Sequence, residues 1–224
     1  MNRLIVVTGT QREAAVLGPK EFTVIAGGGD AEGLRTRLRA AAPGAMGIVS
    51  FGFAGALADG LGIGDWVIGA RVSGAIAAEC DPLWSAALRR QLPQARTGTV
   101  YADGRLIADV AEKRSLGARH AALCADMESH VAAEVAAERA LPFAIARCIS
   151  DEVSRALPPA IAVAMRPDGS VDGRAMALSL ATRPGQFADF VRAIGGFVRA
   201  MTSLREGARR LALPEALPLG GGSG

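Results

Sequence analysis

Three acids in this 224-residue chain each follow a short apolar run, and their placement points to one shared chemistry. Glu128 lies in Asp126-Met127-Glu128-Ser129, which follows an apolar stretch and precedes a helical pattern. A carboxylate there can accept two hydroxyl hydrogen bonds, as from a sugar diol such as ribose, although acids also favour helix N-termini. Asp151 lies in Arg147-Cys148-Ile149-Ser150-Asp151, 23 residues after Glu128. One strand–helix–strand unit separates the two, so both carboxylates can face one crevice; the plainer reading of Ser150-Asp151 is a helix N-cap. Glu13 stands in Gly9-Thr10-Gln11-Arg12-Glu13-Ala14, just after the first apolar run. It reads as a third acid at a strand end or as an exposed acid in a helix's first turn.

The elements that must position these acids alternate. Strands are expected at Leu4 to Val7, Phe22 to Ala26, Gly47 to Ser50, Trp66 to Ala70, Thr97 to Tyr101, Ala121 to Ala125 and Phe143 to Ile149. Helices are expected from Gln11, at Ala31 to Ala42, Leu83 to Leu92, around Ile107 to Leu116, and at Ser129 to Arg139. The alternation predicts a single α/β domain, a central mixed twisted sheet flanked by helices, over residues 1–212. Residues 213–224, ending in GGGSG, read as a flexible tail. In α/β folds ligands gather at the carboxyl ends of strands, where all three acids fall.

Small residues in Ser50-Phe51-Gly52-Phe53-Ala54-Gly55-Ala56-Leu57, followed by Gly64-Asp65-Trp66-Val67, would let backbone approach a ligand closely. Neither this stretch nor Gly27-Gly28-Gly29 has the spacing of a dinucleotide fingerprint, and no P-loop is present. The final helical pattern places Phe187, Phe190, Val191, Ile194, Phe197, Val198, Met201 and Leu204 on one face, with Arg192, Arg199 and Arg205 on its polar side. That face reads as a closing helix packed on the sheet, or as a surface that also meets lipid or an apolar substrate.

Composition narrows the classes. Half the residues are hydrophobic and 21% are charged, as in a packed globular chain. Cys80, Cys124 and Cys148 are widely spaced and odd in number, which argues against a disulfide framework and for a reducing, cytoplasmic setting. Two histidines, His120 and His130, make a histidine metal site improbable. The net charge of +3 comes almost wholly from scattered arginines, so a solvated basic surface is expected, with no nucleic-acid partner. The start MNRLIVVTGT runs straight into a strand pattern, and neither a signal peptide nor a membrane-spanning run is expected.

Taken together, the four segments resemble the purine nucleoside phosphorylase and 5′-methylthioadenosine/S-adenosylhomocysteine nucleosidase superfamily, over about residues 4–155. FGFAGALADGLGIGDWVIG is similar to its glycine-rich segment, and DMES and RCISDE to its ribose and base motifs. LPPAIAVAMRPDGSVDGRAMALSLATRPGQF also resembles the hopanoid-associated phosphorylases, which act on adenosylhopane. The resemblance implies cleavage of an adenosyl N-glycosidic bond with release of adenine. Glu128 would bind the ribose hydroxyls and Met127 would pack on the sugar. Asp151 would protonate N7 of the base, holding its proton through burial, with Ser150 beside it. Glu13 would activate water. Phe53, Ala54 and Gly55 would line the substrate pocket, the bulk of Phe53 suiting an apolar substrate; Asp103, Leu106 and Ile107 would form the base-pocket loop. No metal or organic cofactor is implied. Inorganic phosphate stays open as co-substrate, with Arg12 and Arg71 as its candidate ligands, but hydrolysis is favoured. The implied partners are a small-molecule nucleoside, lipid-linked on the narrower resemblance, a second copy in a homo-oligomer, and a membrane surface by peripheral contact. A soluble methylthioadenosine nucleosidase and an inactive nucleoside-binding module are the alternatives.

Overall fold

A computed structural model describes residues 3–18, 22–164, 172–211 and 217. The tail expected at 213–224 falls, apart from Leu217, outside the described residues, as does part of the segment resembling the hopanoid-associated enzymes.

The strands are β1 (Arg3–Thr8), β2 (Thr23–Ala26), β3 (Ala45–Ala56), β4 (Trp66–Gly74), β5 (Ala78–Glu79), β6 (Arg96–Ala102), β7 (Ala122–Asp126) and β8 (Phe143–Asp151). The helices are α1 (Gln11–Leu17), α2 (Ala31–Ala41), α3 (Pro82–Gln91), α4 (Val110–His120), α5 (Ser129–Glu138), α6 (Pro159–Ala164), α7 (Gly173–Thr182) and α8 (Phe187–Leu211). The expected mixed α/β fold is observed. All these strands join one sheet in the order β2-β1-β3-β7-β6-β4-β5, while β8 pairs with both β3 and β4.

Strand β3 gives the sheet its shape. It lies parallel to β1 as far as Ser50 and to β8 as far as Gly55, and its end also pairs antiparallel with β7 through Gly55 and Ala56. Since β8 also pairs antiparallel with β4, and β4 and β7 both flank β6, the strands β3, β8, β4, β6 and β7 close into a ring. The apolar run alone predicts a strand ending at Ser50, shorter than the one observed. Residues 51–55 continue the pairing with β8, and at the bend the small Gly55 and Ala56 take up β7 as well. Strand β1 has a continuous apolar run, Leu4 to Val7, because both its faces are buried.

Helices cover both faces. Leu34 and Leu38 of α2 pack with Val131 and Val135 of α5 over Ile5, Val7 and Ile145. On the other face Trp84 and Leu88 of α3 join Met201, Leu204 and Leu211 of α8 over Leu4, Val6 and Phe51. The 3.6-residue spacing of Met201, Leu204, Ala208 and Leu211 thus makes the second half of α8 a closing helix. Its first half differs from the expected single buried face. Phe187, Val191, Ile194 and Val198 are 42–60% exposed, and no residue of α7 is buried. Among the described residues no helix is long and apolar enough to cross a membrane.

Candidate active site

The carboxyl ends of β1, β3, β7 and β8 open into one cavity of about 570 Å³, lined by Glu13, Glu128 and Asp151 together. That volume lies within the ~300–1,000 Å³ usual for small-molecule sites. Met127, Phe53, Ala54, Gly55, Ile107, Leu106 and Ser150 line it as well. Asp103 does not. Its carboxylate accepts from the Tyr101 hydroxyl and from Arg105, and Arg105 takes its place at the wall. Arg12 and Arg71, considered as phosphate ligands, are both exposed and outside the lining, and Arg71 faces Glu79 instead.

Glu13 is placed by local sequence. Thr10 caps α1, its hydroxyl accepting from the Glu13 N–H, while Glu13 Oε2 accepts from the Thr10 N–H at 2.5 Å. This reciprocal capping box is written in Thr10-x-x-Glu13. It turns the side chain inward: Glu13 is 2% exposed, not the exposed first-turn acid that its position alone suggests. Its other oxygen accepts from the Phe53 N–H at 2.6 Å. Gly52, at φ 144°, makes that possible, because a Cβ there would stand 2.2 Å from Glu13 Oε1. Burial raises the Glu13 pKa, against the pull of these backbone donors and Arg147.

Glu128 is the N-cap residue of α5, following Asp126 at the end of β7. Glu128 and Glu13 are neighbours: a Cβ on Gly9 would lie within 3.5 Å of carboxylate oxygens of both. Beneath them sits Arg147, fully buried in β8. Its Nε stands 2.8 Å from Asp126 and its Nη2 3.7 Å from Glu128, and Nη2 donates to Ser50 Oγ at 2.5 Å. The Nε contact lacks hydrogen-bond alignment and is an ion pair only. Asp126 also accepts from the Glu128 and Ser129 backbone N–H groups, fixing the start of α5. Two carboxyl groups thus share one guanidinium, whose charge also reaches Glu13. Burial first, then the charges of Asp126 and Glu13, push Glu128 up to about 8, with Arg147 pulling the other way.

Asp151, at the end of β8, lies beside Gly55; a Cβ on that glycine would come 3.0 Å from its carboxylate. The Ser150 hydroxyl donates to Asp151 Oδ1 at 2.9 Å. Lys113 Nζ, on a wholly buried side chain of α4, donates to Oδ2 at 2.5 Å. The same ammonium donates to the backbone carbonyls of Glu152 and Arg155, so it ties the loop after β8 to α4. Asp151, expected to be a buried acid, has a side chain 16% exposed and ion-paired with Lys113.

Arg147, Asp126 and Lys113 escape the sequence reading as site residues, although each leaves a signal. Asp126 opens the tetrapeptide that carries Glu128. Arg147 interrupts the buried run Phe143 to Ile149, where a charge must have partners. Lys113 is one of two lysines among 25 basic residues.

A profile of the Phosphorylase superfamily matches residues 4–164. The chain belongs to that superfamily. It is an enzyme of the nucleosidase or phosphorylase type. No curated protein matches it by sequence. Among solved structures, a methylthioadenosine nucleosidase mutant from Helicobacter pylori, with 5′-methylthioadenosine in its active site, aligns at TM-score 0.64 and 14% identity, covering 94% of this chain and 96% of its own. Futalosine hydrolase from the same organism aligns at 0.62 and 14%, covering 94% and 95%. An S-adenosylhomocysteine nucleosidase from Streptococcus pyogenes, in complex with 5-methylthiotubericidin, aligns at 0.61 and 15%, covering 95% and 98%. At these identities the likeness is one of fold.

Proposed function

We propose that this superfamily member hydrolyses the N-glycosidic bond of an adenosyl nucleoside, and that the nucleoside carries an apolar 5′ group, adenosylhopane being the substrate favoured. The observation that carries the reading is the convergence of Glu13, Glu128 and Asp151 on one cavity.

In this reading Glu128 accepts hydrogen bonds from the ribose hydroxyls, and these strengthen as the sugar gains oxocarbenium character. Water attacks C1′ and gives its proton to Glu13. The C1′–N9 bond breaks, its electron pair leaves with adenine, and N7 takes a proton that Asp151 has drawn from solvent, which returns Asp151 to the carboxylate paired with Lys113. The Lys113 ammonium is placed to stabilise the carboxylate left on Asp151. Hydrolysis is favoured over phosphorolysis because the adjacent carboxyl groups of Glu13 and Glu128 would repel a phosphate beside them and neither Arg12 nor Arg71 reaches the cavity, although Arg105, Arg155, Arg192 and Arg199 line other parts of it.

The apolar 5′ group is supported by the apolar part of the cavity lining. Phe53, Ile63, Ile161 and Phe197 belong to it, and the Phe53 ring packs at a tilt against Phe197 with centroids 5.2 Å apart. The fold relatives support a second reading, a soluble thio-adenosine as substrate.

The test is adenine release from adenosylhopane and from methylthioadenosine in competition, with and without phosphate, followed by the mass of the sugar product. A free ribosyl product from the lipid is expected. A sugar phosphate would overturn hydrolysis, preference for methylthioadenosine would overturn the lipid, and no adenine from either would overturn the whole reading.

A further inference from the structure

Among the described residues, six of the seven large hydrophobics that stand exposed lie on three neighbouring helices: Val163 on α6, Leu178 on α7, and Phe187, Val191, Ile194 and Val198 on α8. The four on α8 fall at i, i+4, i+7 and i+11, which makes them one continuous strip along the helix, about 16 Å long at 1.5 Å per residue. Arg205 continues the line seven residues past Val198, and Arg209 comes four residues later. Residues 172–211 hold seven arginines against three acids, a net +4 in a chain whose total is +3. The excess positive charge of the molecule is therefore gathered where its apolar surface is bare.

We infer that this strip docks the protein on an anionic lipid surface, with the mouth of the cavity turned to the bilayer. An amphipathic helix with arginines beside an apolar strip suits the boundary between headgroups and acyl chains, and α8 is too polar to go deeper. A second copy of this chain fits the face less well. A two-fold contact would set the same arginines of both copies against each other with few acids to offset them. The adjoining side of α8 carries Ala193 and Phe197, which line the cavity, so the docked face and the cavity wall share one helix. This inference deepens the lipid-linked reading of the site and rests on it for its purpose: the apolar 5′ group would stay among the acyl chains while the nucleoside reaches the acids.

The surface can be tested without any substrate. The full chain is floated with phosphatidylcholine vesicles, with and without phosphatidylglycerol, at low and high salt. Binding is expected on the anionic vesicles and should weaken with salt. V191S/I194S, which replaces no residue of the cavity lining, should lose at least about tenfold in vesicle affinity, a change of about 1.4 kcal/mol. It should keep its turnover of a soluble adenosyl nucleoside and its mass in sedimentation. R205E/R209E, which leaves the apolar strip whole, should lose anionic binding as well. Absence of flotation, equal flotation on neutral vesicles, or flotation unchanged by both variants would overturn the inference. So would a fall from dimer to monomer in V191S/I194S, which would assign the face to a second copy. Failure of adenine release with intact vesicle binding would sink the reading of the site and not that of the surface.

Discussion

The floor and the roof of the cavity are built on opposite principles. The floor is buried, charged and cross-braced: Arg147 holds Asp126 and Glu128, Lys113 holds Asp151, and backbone N–H groups hold Glu13. The roof, to which α6 and the first half of α8 contribute, sets Ile161, Ala193 and Phe197 beside Asp189, Arg192 and Arg199 on the cavity, and leaves Phe187, Val191, Ile194 and Val198 exposed. Chemistry that develops charge needs groups already fixed in place, since any reorganisation adds to the barrier. Admission of a bulky apolar group needs a wall that can yield and tolerate lipid. The contrast therefore predicts that changes to the floor act on rate and stability, while changes to the roof leave both nearly alone.

The largest effect should come from Asp151→Asn. An amide keeps the shape and loses the transferable proton, so kcat should fall ~10²–10⁴-fold while KM changes little. Single-turnover adenine release measures it, and a loss below about threefold would remove Asp151 from its role. Next comes the brace. Arg147→Met leaves the buried Asp126 and Glu128 without their guanidinium, and breaking a buried pair in this way typically costs ~3–5 kcal/mol. Urea unfolding of the two proteins decides it; an unchanged midpoint would mean the floor is not held by that charge.

Lys113 sharpens the comparison further, because it serves both catalysis and loop position. Lys113→Met should lower kcat, and its effect should overlap with that of Asp151→Asn, with a coupling of ~0.5–3 kcal/mol in a double-mutant cycle. Lys113→Arg, which keeps the charge, should restore part of the rate. Strict additivity would show that Lys113 acts on the fold alone.

The floor also has a pH signature. Glu128, pushed up to about 8, keeps in the folded protein a proton that the unfolded chain gives up near its ordinary value of 4.5. The folded state binds more protons between those limits, so this stabilising contribution is complete below 4.5 and is lost as pH rises through about 8. Glu128→Gln removes the dependence. Its Tm relative to the unmutated protein should rise from pH 5 to pH 8 by a few degrees, roughly the effect of 1 kcal/mol in a chain of this size. A flat difference across that range would place the proton elsewhere.

The legibility of the sequence divides along the same line. The three acids are legible because each sits at a strand end, and strand ends are marked by apolar runs. Thr10-x-x-Glu13 carries even the local cause of Glu13's inward turn. The cations are not legible in the same way. Lys113 and Arg147 reach their partners across 38 and 21 residues of chain, through pairings that only the assembled sheet creates. Asp103 shows the converse: the loop is well placed, but a carboxylate two residues from Arg105 finds a nearer partner than any ligand. The split of α8 is also hidden. Helical periodicity marks which residues share a face and is silent on where along the helix the sheet beneath it ends.

The smallest effect is the one that tests the roof. V191S/I194S places hydroxyls on side chains that are 54% and 42% exposed, so little buried area is lost. Surface changes of this kind usually stay within about 0.5 kcal/mol, and the urea midpoint should hardly move. A loss of several kcal/mol would show that the first half of α8 is packed against something the isolated chain already supplies, and the distinction between a fixed floor and a free roof would fail. A silent change leaves the roof free to meet lipid while the acids beneath it stay where the fold has put them.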